Sequence, residues 1–269
     1  MRLVAVSWRG EFFAQDPTDG FLVPVGHTGF TRINSLTVTP DDRVLCIAER
    51  EDANPVVIEI DPDTGRGAEV CVLDAMVDAR ALAAAPSGVL YGVIVRPDAY
   101  SRCTFVEINP RTGHIATLID TGWIGIQSLE CCPHGDLFAV VNPYTTNGVT
   151  RPGLVLRVDA IEWSMRKVAE IPDCPSVQSI AFDECDIGHI SWRENKAVHT
   201  GANPIALTGV DTETNHITID ETVWNIEGAD IRGIGFLHLH RWWELCGTDG
   251  GHGRERTPPA PPPSEELPR

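Results

Sequence analysis

The chain has 269 residues, 42% of them hydrophobic, with 38 Asp and Glu against 21 Lys and Arg and a formal net charge of −17. That suffices for one large domain, no apolar run approaches the ~20 residues of a membrane helix, and so acidic a chain disfavours nucleic acid and other polyanions. A solvated acidic surface is the plain reading of the charge, which also suits cationic ligands or Ca²⁺.

In chain order, LVAVSW (3–8) reads as a strand and not as a signal peptide, because one Arg, a very short apolar run and Glu11 are all it offers. EFFAQ and FLVPVG then flank DPTDG (16–20). Asp opens the turn, Pro fixes φ at the first central position, and Gly closes it where a left-handed conformation is needed. Strand, tight turn, strand is a β-hairpin. The same writing returns in IEIDPDTG (58–65) before AEVCVLD, and in VEINPRTG (106–113) before HIATLID. Degenerate copies are LRVDAIEWSMRKVAEI, opened by Asp159, and LTGVDTETNHITI, opened by Asp211. The openers Asp16, Asp61, Asn109, Asp159 and Asp211 stand 45, 48, 50 and 52 residues apart.

A second pattern lies between these hairpins: INSLTVTPDDRVLCIAE (33–49), ARALAAAPSGVLYGVIV (79–95) and IQSLECCPHGDLFAVVN (126–142). It is weaker in VQSIAFDECDIGHISWR (177–193) and IRGIGFLHLHRWWELCG (231–247). Aligned on Leu36, Leu82, Leu129, Ile180 and Ile234, the copies step by 46, 47, 51 and 54 residues. One repeat is four short strands in two hairpins, the signature of a β-propeller blade. The expected fold is therefore all-β, a β-propeller over residues 1–247 with five blades, six being the alternative. EFFAQ and FLVPVG supply the outer strands of the fifth blade, so N- and C-terminal strands close the ring in one blade and hide the sheet edges. LVAVSW and WWELCG (242–247) compete for the place beside that outer hairpin. Residues 248–269 change to Pro, Gly and charge and read as a disordered tail. Their RTPPAPP (256–262) has an Arg-then-PxxP form that short Pro-rich tails produce easily.

The unit built from Asp61-Pro62-Asp63-Thr64-Gly65, Asn109-Pro110-Arg111-Thr112-Gly113, Pro86-Ser87-Gly88-Val89-Leu90-Tyr91-Gly92 and Pro133-His134-Gly135-Asp136-Leu137-Phe138 resembles the NHL/YVTN/quinoprotein-like group of β-propellers. The resemblance spans nearly all of residues 1–247 and implies the architecture. Such propellers host lactonases, cyclotransferases, quinone-dependent dehydrogenases and many scaffolds, so it leaves function open. Quinoprotein repeats carry a Lys and a docking Trp after the turn; here RGAEV follows Gly65 and HIATL follows Gly113, which speaks against a quinone.

Eight cysteines form no CxxC pair, and Cys46, Cys71 and Cys246 fall inside strand patterns, as expected of small core fillers in a reduced, cytoplasmic protein. His238-Leu239-His240 has the i, i+2 spacing of metal ligands on a strand, without a third ligand nearby. Asp183, Glu184 and Asp186 could offer oxygen to Ca²⁺, but without EF-hand spacing they read as an acidic turn. There is no GxSxG, phosphate loop or HExxH.

Recognition groups gather in the connections between second and third strands, at 48–55, 94–103, 141–153 and 192–204. The candidate ligand-binding residues are Arg50, Arg96, Tyr100, Asn142, Tyr144, Arg193 and His199, with Arg151 and Asn195 beside them. An Arg from four connections would make a local positive patch, suited to a small anionic or carboxylate-bearing ligand or an acidic protein segment. The expectation is a monomeric, non-enzymatic scaffold with no cofactor, neither nucleic acid nor membrane being a partner. The alternative is a metal-dependent, lactonase-like hydrolase with Ca²⁺ or another divalent ion on the channel axis, for which Glu49, Asn142 and His199 are candidates.

Overall fold

The computed structural model describes residues 1–18, 20–95, 102–146, 149–171, 176–193, 205–211, 216–224 and 229–238; of these, the side chains of 146, 149, 193, 205–210 and 216–224 are not described. Among the described residues, strands follow one another with no helix between them. β1 (Arg2–Ser7), β2 (Glu11–Gln15) and β3 (Leu22–His27) form an antiparallel meander. The next sheet holds β4 (Ile33–Val38), β5 (Val44–Arg50), β6 (Ala53–Ile60) and β7 (Gly67–Val72). It is followed by β8 (Asp78–Ala84), β9 (Leu90–Val95), β10 (Arg102–Ile108) and β11 (Ile115–Ile124). β12 (Ile126–Cys131) and β13 (Leu137–Val141) come next, then a small hairpin of β14 (Tyr144–Thr146) and β15 (Val149–Arg151), then β16 (Gly153–Val158) and β17 (Met165–Ile171). β18 (Ser176–Phe182), β19 (Ile187–Arg193), β20 (Ile205–Asp211) and β21 (His216–Trp224) make a further sheet, and β22 (Ile231–Leu237) ends the described strands.

β22 pairs antiparallel with β1, from Arg2 opposite Leu237 to Ser7 opposite Ile231. The order is β22-β1-β2-β3, so LVAVSW holds the place for which WWELCG was a competitor; residues 242–247 and the tail lie outside the described residues. We label this sheet I, and β4–β7, β8–β11, β12-β13-β16-β17 and β18–β21 sheets II to V. The meander repeated in each sheet is the β-propeller pattern.

The expected turns form. Asp61 Oδ1 accepts from Asp63 N at 2.9 Å while Gly65 N donates to Asp61 O at 2.8 Å. Asn109 does the same with Arg111 N, at 2.9 Å, and Gly113 N, at 2.8 Å. Gly20, Gly65 and Gly113 have φ of 79°, 69° and 74°, where a Cβ is strained. In the fourth copy Asp159 Oδ1 still accepts from Ile161 N at 2.8 Å, but Trp163 takes the left-handed place at φ 52°. Packing compensates: Trp163 sets its ring 5.5 Å from Tyr91, edge to face, and 6.0 Å from Phe105, both in sheet III. The inter-blade Trp that the sequence lacks after its Gly turns is thus supplied from inside a turn. In the fifth copy the turn after Asp211 lies outside the described residues.

The core lies between neighbouring sheets. Val4, Val6 and Phe12 of sheet I pack with Leu36, Val44 and Ile58 of sheet II. Leu45, Ile47 and Val57 of II pack with Leu82, Ile94 and Val106 of III, and Ala81, Val93 and Phe105 of III with Leu129, Leu137 and Leu156 of IV. Phe138 and Val155 of IV meet Ile180 and Phe182 of V, the two rings 4.9 Å apart, and Ala181 of V meets Ala5 and Ile234 of I. Alternation buries one residue in two on each face, and the small residues belong to the inner strands, where sheets crowd most closely.

Inner strands are edge strands, with N–H groups that lack a ladder partner. A recurrent hydroxyl supplies one. Leu82 N donates to Ser35 Oγ (2.9 Å), Ile180 N to Ser128 Oγ (3.2 Å) and Ile234 N to Ser179 Oγ (3.2 Å). At the matching place in sheet I, Gly233 passes so near sheet II that a Cβ would stand 2.5 Å from Leu36 N. Further along these strands, Ala84 N donates to Thr37 Oγ1 at 3.1 Å, and Thr37 in turn donates to the buried Glu130 Oε1 at 3.0 Å, joining sheets II and IV. Six described cysteines are free, and Cys46, Cys71, Cys103 and Cys132 are buried fillers.

Candidate functional site

The strands β4, β8, β12, β18 and β22, each at an edge of its sheet, share one register, which gives each one residue of the same rank. Two places before Leu36, Leu82, Leu129, Ile180 and Ile234 stand Asn34, Arg80, Gln127, Gln178 and Arg232. All five are polar, with long planar hydrogen-bonding groups. The second strands end at the same level. Trp8 N, Glu49 N and Asn142 N bond to the carbonyls of Asp230 (2.7 Å), Arg32 (3.0 Å) and Gly125 (2.8 Å), each four places before the reference residue. Val95 opposite Asp78 and Arg193 opposite Ser176 hold the same rank.

Asn34, Arg80, Gln127 and Arg232 line a cavity of about 520 Å³ together with Trp8 and Glu49. Its apolar wall is Pro55, Met76 and Val77, and Arg50, Asp52 and Asp78 complete the charges. A cavity of this size takes a small molecule.

The guanidinium groups are oriented by carboxylates of their own strands. Arg80 Nε is 2.9 Å from both carboxylate oxygens of Asp78, which also holds the Arg80 proton more tightly than usual. Arg232 meets Asp230 at 3.1 and 2.9 Å, in a pair only 15% and 14% exposed. These are two copies of one device, Asp-x-Arg, at 78–80 and 230–232. A third version is polar but uncharged: Gln178 Nε2 donates to Ser176 Oγ at 2.8 Å. Arg232 also lies over the Trp8 indole, 4.9 Å from the ring centre, as a cation–π contact. Glu49 accepts from Asn34 Nδ2, which also donates to Ala79 O at 3.2 Å. Burial, then the charge of Asp78, raise the Glu49 pKa; the Asn34 bond and the charges of Arg80 and Arg32 oppose them.

The residues expected from sequence fall differently. Glu49 lines the cavity. Arg50 does too, but it is ion-paired with Glu69 on β7. Asn142 shares the rank of Glu49, yet its Oδ1 accepts from Val177 N at 2.7 Å and so stitches sheet IV to sheet V. Tyr144 sits on β14 opposite Arg151 on β15, so the connection at 141–153 carries a hairpin where an irregular loop was expected. Arg193 ends β19, with its side chain outside the described residues. Arg96, Tyr100, Asn195 and His199 lie outside them as well.

The metal candidates resolve into local pairs. Asp183 Oδ1 accepts from Cys185 N (2.8 Å) and Ile187 N (3.0 Å), and Oδ2 lies 2.8 Å from His189 Nε2. Asp186 meets His134 Nε2 at 2.7 Å. His238 N donates to Asp42 Oδ1 at 2.8 Å, while Leu239 and His240 lie outside the described residues. Among the described residues no group of three or more His, Cys, Asp or Glu side chains is placed to hold a metal ion.

No family model matches the chain, and no curated protein sequence matches it either. Solved structures do. A nidogen/laminin complex aligns at a TM-score of 0.52 and 11% identity, over 87% of this chain and 97% of that one. A protein of unknown function from Bacteroides thetaiotaomicron aligns at 0.55 and 13%, over 84% and 57%. A putative TolB from Agrobacterium tumefaciens aligns at 0.54 and 10%, over 85% and 83%. At such identities the likeness shows the fold alone: the class is the β-propeller.

Proposed function

We propose that the chain is a five-bladed β-propeller, closed where β22 and β1 share sheet I, and that it is a binding scaffold for a small polar ligand at its channel mouth. One observation carries this reading. Four inner strands place long polar side chains at one register around a cavity of about 520 Å³. Residues kept only for packing would have no reason to be polar at that register. A scaffold fits better than a hydrolase because all the acidic groups there but Asp52 are already engaged: Asp78 by Arg80, Asp230 by Arg232, and Glu49 by Asn34. Asn142, a candidate ligand for an axial metal, is engaged by Val177 N. A cytoplasmic location belongs to the same reading, supported by buried cysteines held as thiols.

The test is a thermal-shift screen with sugars, amino acids, organic acids and nucleotides, run on wild type and on Gln127→Ala. Compounds that raise the melting temperature of wild type but not of the variant are expected. A screen without such compounds, or with shifts equal in both proteins, would overturn the proposal. An anionic ligand, the expectation from the Arg-bearing connections, would have to draw on Arg96, Arg151 and Arg193, since Arg50 is engaged by Glu69.

A further inference from the structure

Resting on the mouth being the binding site, we infer that its ligand is a neutral, polyhydroxylated molecule, a saccharide or polyol. The first argument is charge. The lining holds three guanidinium groups, Arg50, Arg80 and Arg232, and three carboxyl groups, Glu49, Asp52 and Asp78. Each guanidinium has a carboxylate partner, in Glu69, Asp78 and Asp230. An entering anion would meet those carboxylates as well as the cations, and would have to displace one to claim a full ion pair. An entering cation would meet the three guanidinium groups, and would find only Glu49 and Asp52 outside those pairs.

The second argument is the kind of hydrogen bond on offer. The amide of Gln127 presents a donor and an acceptor, and Asn34, whose two N–H groups go to Glu49 and Ala79 O, keeps its Oδ1 as an acceptor. Arg80 keeps N–H groups beyond those bonded to Asp78, and Glu49 has oxygens beyond the one that Asn34 reaches. Hydroxyls are the ligand groups that do both, and neighbouring hydroxyls match side chains whose donor and acceptor sit side by side. The third argument is rigidity. Side chains pinned within their own strands lose little freedom when a weakly held, strongly hydrated ligand binds. The fourth is the apolar share. The Trp8 indole, Met76, Val77 and Pro55 give the C–H faces of a sugar ring somewhere to lie. A ligand that is polar at its edges and apolar across its faces satisfies both walls.

The experiment is saturation-transfer NMR and calorimetry on the full chain with two sets of probes: methyl glucopyranoside, methyl galactopyranoside, maltose and inositol against glucuronate, citrate and inorganic phosphate. At least one neutral probe is expected to bind. Its affinity should change less than about twofold when salt rises from about 0.05 to 0.5 M, because no net charge is neutralised. Gln127→Ala should weaken it by about tenfold, the loss of one to two ligand hydrogen bonds, with an unchanged melting temperature. If that variant folds poorly, the salt series on wild type decides. Binding confined to the charged probes with steep salt dependence overturns the inference, yet leaves the small-molecule site standing. Failure of every neutral probe overturns it too, and the wider thermal-shift screen then judges the site separately.

Discussion

The two ends of the inner strands are built on opposite principles. At the far end, away from the mouth, β4, β8, β12 and β18 each turn into the next strand through the same short turn. Asp42, Gly88, Gly135 and Asp186 hold its left-handed place at φ of 63°, 84°, 88° and 59°. Each donates its N–H to a carbonyl three residues back, at 2.8 to 3.2 Å. Only residues that tolerate αL occupy it. At the mouth, the matching rank reads Asn, Arg, Gln, Gln, Arg, and its residues differ in length, charge and partner. Sameness marks where backbone geometry is dictated; variety within polarity marks where geometry is already guaranteed and chemistry is free to differ. Substitutions should therefore cost stability at the dictated positions and binding at the free ones.

The outer-turn glycines should give the largest effect. A Cβ on Gly113 would stand 1.8 Å from Val72 O in the neighbouring sheet, and φ there is 74°. Gly113→Val is expected to cost more than about 4 kcal/mol and to leave little soluble, folded protein, read by expression and urea unfolding. In the degenerate turn the reverse exchange should also cost stability, though less. Trp163→Gly relieves a left-handed φ but removes the contacts with Tyr91 and Phe105, so a net loss of about 2 kcal/mol is expected. A stabilised variant would mean that backbone strain, not packing, governs that turn. Ser179→Ala leaves Ile234 N without its hydroxyl at a buried sheet junction, and should cost about 1–2 kcal/mol in the same assay.

Glu130 gives a smaller, pH-dependent effect. Burial raises its pKa well above the usual carboxylate range, against the opposing bonds from Cys131 N and Thr37. The folded chain thus keeps a proton that the unfolded chain releases near pH 4.5. Stability from this group is full below that pH and falls as pH rises towards the folded pKa. Glu130→Gln should remove that slope, so its urea midpoint should gain on wild type between pH 5 and pH 8. A constant difference across that range would sink the idea. Least of all should Gln127→Ala move stability, by no more than about 0.5 kcal/mol, while ligand binding falls.

The same division explains what was legible. The hairpins could be read from Asp61-Pro62 to Gly65 and from Asn109-Pro110 to Gly113 because turn chemistry is local and repeats letter for letter. The polar rank could not. It shows only after the repeats are aligned on Leu36 and its equivalents, and then as a shared property rather than a shared residue. The one literal signal at that rank was Asp-x-Arg, present at 78–80 and again at 230–232, although the same pattern also stands in the turn at 41–43. Arg50 stands in the cavity lining and Asn142 at the rank of Glu49, but sequence does not show that Glu69 and Val177 N engage them. Those partners lie 19 and 35 residues away, across strands whose register had first to form.

The pairing of Arg2 with Leu237 bears on how the protein is made. At about 5–20 residues per second, a ribosome needs roughly 10–50 s to bring out β22 after β1 has emerged. Throughout that interval β1, almost wholly apolar, has β2 on one side and a vacant edge on the other. A nascent chain stalled before residue 231 would present that edge to any passing strand. The completion of sheet I is thus timed by translation, and chaperone demand should peak just before β22 leaves the tunnel.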